Sequence, residues 1–101
     1  MKLILITAVR EFEKNVKELL LRSGVKVFSY NDVSGFKGNA LVSSAENWFA
    51  AGGVETDSLL FTVFADENVL EQLIERIRKF NSKQEFETRI HLAAMPVEQF
   101  I

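Results

Sequence analysis

The chain has 101 residues, 48% of them hydrophobic and 26% charged, with a formal net charge of −2. That length suits a single domain over residues 1–101 that buries about two-thirds of its unfolded surface and needs no metal or cross-link to fold. The lack of cysteine excludes a disulfide scaffold and a thiolate metal site, and the slightly acidic balance offers no basic stripe for nucleic acid.

Lys2 to Val9 is nearly all apolar, with the length of a strand and no alternation, which predicts burial on both faces. The run is too short to span a membrane and is followed by Arg10 and Glu11, so neither a span nor a leader is expected. The expectation is a cytoplasmic protein that is not itself a membrane protein. Arg10 to Arg22 follows a helical period, with Phe12, Val16, Leu19 and Leu20 on one face. Glu13 and Lys17 stand at the favourable four-residue spacing. Gly24 is the expected left-handed cap. Val25 to about Ser34 reads as a second strand, rich in β-branched and aromatic residues.

Gly35 to Asp57 shows no clean period and reads as a long loop, uncommon in so small a domain unless functional or disordered. Its small residues and the Gly52-Gly53 pair predict that residues 39–56 form a mobile arm. Ser58 to Ala65 is a third, mostly apolar strand. Asp66 is placed to cap a helix whose buried face carries Leu70, Leu73, Ile74 and Ile77. Asn81 to Glu87 reads as a polar connection, and Thr88 to Met95 as a fourth strand that Pro96 ends or confines to an edge. Val97 to Ile101 is a short tail.

The order β-α-β-β-α-β is the ferredoxin-like arrangement, an α+β sandwich with two helices on one face of a four-stranded antiparallel sheet. The first and third strands are apolar on both faces, so the face without helices presents an apolar surface on the scale of an interface. A homo-oligomer built through the sheets is expected.

These residues resemble a family. Asp32-Val33-Ser34-Gly35-Phe36-Lys37-Gly38, leading into a long loop between the second and third strands, is similar to the Glu-Val-Lys-Gly-Phe-Gly run before the T-loop of the nitrogen-regulatory PII proteins. Arg89-Ile90-His91-Leu92-Ala93-Ala94-Met95-Pro96-Val97-Glu98 is similar to that family's Lys-Ile-Phe-Val-x-Pro-Val-Glu-Glu. The likeness is that of a divergent PII-like protein. It implies a homotrimer that binds an anionic ligand, an adenine nucleotide, between subunits and controls a transporter or enzyme through residues 39–57. The departures are specific. The loop has no tyrosine for uridylylation, and the family's phosphate-binding Thr-Gly-x-x-Gly-Asp-Gly-Lys is replaced by Asn81 to Arg89, keeping only the terminal basic residue.

Gly35, Phe36, Lys37 and Gly38 are the candidate ligand-binding base of the loop, where glycines free the backbone and expose amides. Arg89 is the candidate partner for a phosphate or carboxylate; Lys83 reads better as a solvated charge. Trp48 and Phe49, large aromatics in a polar loop, are candidate partner contacts; the alternative is that they fold back onto the body and cap a cleft. His91 reads as a packed strand residue rather than a metal ligand. No spacing of nucleophile, base and acid is present, so a non-enzyme is expected. The alternative function is a trimeric ion-tolerance or structural protein like CutA, which shares the fold but whose aromatic and cysteine motifs are missing here.

Overall fold

A computed structural model describes residues 1–36, 48, 55–85 and 88–101, and of 55 and 56 the backbone alone. The elements run β1 (Lys2–Val9), a 3-10 turn (Arg10–Phe12), α1 (Glu13–Arg22), β2 (Ser29–Phe36), β3 (Glu55–Ala65), α2 (Glu67–Ser82) and β4 (His91–Pro96). The sheet order is β2-β3-β1-β4, antiparallel throughout. This is the expected ferredoxin-like sandwich, with β2 and β4 at the edges.

Local chemistry explains the helix boundaries. Asp66 accepts the Val69 N–H at 2.9 Å, so its carboxylate satisfies one of the unpaired donors of the first turn of α2. Gly24 turns the chain out of α1 at φ 95°, in the left-handed region that costs glycine least. Lys17 Nζ meets Glu13 Oε2 at 2.9 Å along α1.

The core lies between the sheet and the helices. Ile4, Ile6 and Ala8 of β1 and Leu59, Phe61 and Val63 of β3 meet Val16 and Leu20 of α1 and Leu70, Leu73 and Ile77 of α2. Tyr30 stacks on Phe61 at 5.4 Å between centroids, and Phe12 meets Phe80 edge to face at 5.0 Å. Such pairs add about 0.5–1.5 kcal/mol beyond their buried area.

The other sheet face carries no helix. Because side chains alternate along each strand, the register places them there in rows: Phe64, Leu3 and Met95; Ser29, Thr62, Leu5 and Ala93; Asn31, Leu60, Thr7 and His91; Val33, Ser58 and Val9. Phe64 and Met95 are each more than two-fifths exposed. Phe100 from the C-terminal tail reaches back to Phe64 at 5.3 Å between rings.

Several boundaries differ from the sequence reading. Val25 to Phe28 is not strand: Val25 packs into the core while its N–H bonds the Leu20 carbonyl, so the chain is still leaving the helix. The long loop expected over Gly35 to Asp57 is shorter at both ends: β2 continues to Phe36 and β3 begins at Glu55, because the two strands pair through Gly35↔Thr56 and Phe36↔Glu55. Glu55 and Thr56, expected within a mobile arm, are therefore strand. The remainder of that arm lies outside the described residues, Trp48 excepted. Helix α2 runs on to Ser82, through Asn81. The fourth strand starts at His91 rather than Thr88 for a particular reason. The Asn81 side chain occupies both backbone groups of Ile90, donating Nδ2–H to its carbonyl at 2.9 Å and accepting its N–H at 2.8 Å. Those groups are then unavailable to a strand ladder.

Candidate functional site

The sheet end from which the β2–β3 connection leaves gathers most of the polar side chains of interest. Arg10, just past β1, closes it with a clamp. Its Nε and Nη2 meet the two carboxylate oxygens of Asp57 at 3.0 Å each, and Nη2 meets Asp32 Oδ1 at 2.6 Å. Asp32 is in β2 and Asp57 in β3, so one planar guanidinium ties the two strands that bracket the connection to the end of β1. The fork of the guanidinium matches the carboxylate in a bidentate pair. The Arg10 hydrogen bond holds the Asp57 carboxyl below its ordinary range, and the two carboxylates raise the Arg10 guanidinium. Sequence inspection missed this trio, because its members lie 22 and 47 residues apart.

On the open face at the same end stand Thr7, His91 and Trp48. The Thr7 hydroxyl, itself 1% exposed, donates to the Trp48 carbonyl at 2.8 Å. The Trp48 ring lies 5.9 Å from the His91 ring between centroids. Trp48 is half-buried against the sheet, the disposition in which an aromatic caps the body. His91 Nε2 is buried and has no hydrogen-bond partner among the described residues. Burial, and then the positive charge of Arg89, push the imidazole below its ordinary value, so it stands neutral near pH 7.

The other candidates fall as follows. Gly35 is a buried residue of β2, and Phe36, the last of that strand, is 67% exposed. Arg89 is half-buried just before β4, and its Nη1 donates to the Thr88 carbonyl at 3.1 Å. Lys37, Gly38 and Phe49 lie outside the described residues. Phe36 and Arg89 sit at the same end of the sheet but on opposite edges, because β3 and β1 separate β2 from β4. Three strand spacings amount to about 14 Å, so one chain alone does not bring them together. Lys83 belongs elsewhere, in the groove between the helices. Among the described residues there is no cluster of three or more His, Asp or Glu that holds a metal, and no helix is long and apolar enough to cross a membrane.

No protein-family model and no curated protein matches the chain. Solved structures do. The nitrogen regulatory PII-like protein CPII from Thiomonas intermedia K12, bound to ADP, AMP and bicarbonate, aligns with a TM-score of 0.64 and 19% identity, over 99% of this chain and 94% of that one. The same protein bound to ADP, AMP and acetate aligns at 0.65 and 15%, over 97% and 88%. A DUF3240 family protein from Shewanella baltica OS155 aligns at 0.69 and 13%, over 98% and 91%. The chain thus has the PII-like fold, in a divergent sequence, as the Asp32–Gly38 and Arg89–Glu98 stretches led one to expect.

Proposed function

We propose that this chain is a PII-like regulatory protein. It assembles as a homotrimer in the cytoplasm, binds an adenine nucleotide or a related anion in the clefts between subunits, and signals occupancy to a partner protein, a transporter or enzyme, through the segment joining β2 to β3. It acts by binding rather than by catalysis.

The observation that supports this reading best is where two of the candidate residues lie. Phe36 ends one edge strand and Arg89 precedes the other, at the same end of the sheet. A ring of three copies packed through their open faces sets the β2 edge of one subunit near the β4 edge of the next, which completes a site that a single chain leaves split. Leu3, Phe64 and Met95, at the end of the open face away from Trp48, support such packing, since Phe64 and Met95 are exposed large apolar side chains and such patches favour association. CPII, which shares the fold, was solved with ADP and AMP. In the proposed cleft Arg89 supplies charge-assisted hydrogen bonds to phosphate, worth roughly 1.5–3 kcal/mol each. Ligand bound beside Phe36, at the base of the β2–β3 connection, then changes what the partner meets.

The test is isothermal titration of ATP, ADP and AMP into the wild type and Arg89→Ala, with sedimentation of both. The expected result is a trimer in each case and an affinity about ten- to a hundredfold weaker in the variant. A monomeric wild type, or nucleotide affinity that the substitution leaves unchanged, would overturn the proposal.

A further inference from the structure

We propose that the groove between α1 and α2, on the side of the molecule opposite the open sheet face, docks an acidic amphipathic segment of a partner protein. The groove holds about 320 Å³ and is lined by Asn15, Glu18, Leu19 and Arg22 of α1, by Arg76, Lys79 and Phe80 in the C-terminal half of α2, and by Lys83 just past its end. The two helices contribute residues at the same spacing, i, i+3, i+4 and i+7, the rows that face one way along a helix. Each wall is therefore about 10 Å long, the length of two turns of a bound helix or a short extended peptide.

The chemistry of the walls selects the occupant. Four cations stand against a single carboxylate, Glu18, in a chain whose net charge is −2. Among the described residues, Arg22, Arg76, Lys79 and Lys83 form no ion pair. Elsewhere Arg10 is paired twice and Lys2 and Lys17 once each, whereas Lys14, Lys26 and Arg78 stand singly on the surface; among the described residues, only in the groove do four unpaired cations line one cleft. Arg76 is also held in position. Its Nη1 donates to Gln72 Oε1 at 3.1 Å and to Ser23 Oγ at 3.2 Å, both neutral acceptors, and Ser23 is locked in turn by donating to the Leu19 carbonyl at 2.7 Å. The guanidinium is thus oriented while its charge stays uncompensated, which suits bidentate capture of a carboxylate.

Leu19 and Phe80 give the groove an apolar strip between the cations. Inorganic phosphate or a polyphosphate gains nothing from that strip, whereas a peptide carrying leucine or phenylalanine between acidic residues uses both features. The helices cover the sheet face that an oligomer leaves outward, so the groove remains accessible in the assembly proposed above. It is separate from the Phe36–Arg89 cleft and needs no nucleotide.

The probe is a fluorescein-labelled helical peptide with leucines along one face flanked by glutamates, followed by anisotropy and by amide shift mapping on the full-length protein. A scrambled peptide of the same composition and inorganic triphosphate are run alongside. The expected result is saturable binding of the patterned peptide, with shifts confined to residues 15–22 and 72–83. Affinity should fall as salt is raised to about 0.5 M. The Lys79→Glu, Lys83→Glu double variant should bind about tenfold more weakly. Arg22→Gln, a milder change at an exposed position, is the second variant and should weaken binding severalfold if the double variant fails to fold. No binding at low salt, equal binding of the scrambled peptide, shifts outside the groove, or triphosphate binding there without peptide binding would each overturn the proposal. Failure here leaves the nucleotide titration untouched, and the reverse also holds.

Discussion

Asn81→Ala would release the segment that carries Arg89. In the folded chain the Asn81 amide grips Ile90 by both its backbone groups, at 2.8 and 2.9 Å, and Ile90 is 2% exposed. Each such bond contributes about 1 kcal/mol net, so their loss amounts to about 2 kcal/mol. Where water does not reach the freed N–H and carbonyl, their desolvation raises the total toward about 4 kcal/mol. With a urea slope of about 1–3 kcal/mol/M, the midpoint should fall by about 0.7–4 M at fixed protein concentration. Asn81→Asp sharpens the test. It keeps the acceptor for the Ile90 N–H but sets a carboxylate oxygen against the Ile90 carbonyl. Protonation restores a donor, so this variant should regain stability as the pH falls through the carboxylate range. Urea unfolding followed by circular dichroism at several pH values reads both effects. An Asn81→Ala midpoint equal to the wild type would refute the reasoning, and so would an Asn81→Asp variant that loses stability on acidification as the wild type does.

Two further outcomes can be checked on the same instruments. The His91 imidazole is held below its ordinary value of 6.5, first by burial and then by Arg89. Between that lowered value and 6.5 the unfolded chain binds more protons, so stability should drop as pH falls below 6.5. His91→Gln should flatten this slope, and an unchanged slope would show that His91 does not contribute to it. Asp66→Ala removes the cap on the Val69 N–H and should lower stability by about 1 kcal/mol. Asp66→Asn should recover most of that loss, and a variant pair of equal stability would contradict the capping role.

The element order was legible from local signals alone. The apolar runs of Lys2 to Val9 and Ser58 to Ala65, the helical period of Leu70, Leu73 and Ile77, the Asp66 cap and the Gly24 turn each act over a few residues, and each appears in the folded chain, the third strand with three more residues at its start. The likeness of Asp32 to Gly38 and of Arg89 to Glu98 to one family pointed to the PII-like fold for the same reason, since both are continuous stretches. Long-range pairing is what local pattern does not encode. The Arg10 clamp on Asp32 and Asp57 links β2 and β3 to the end of β1, and the extension of β2 and β3 into the expected loop depends on their meeting each other. The late start of β4 follows from one amide on the neighbouring helix taking the Ile90 backbone. The basic groove exists only because two antiparallel helices, distant in sequence, turn matching rows toward each other across the same cleft.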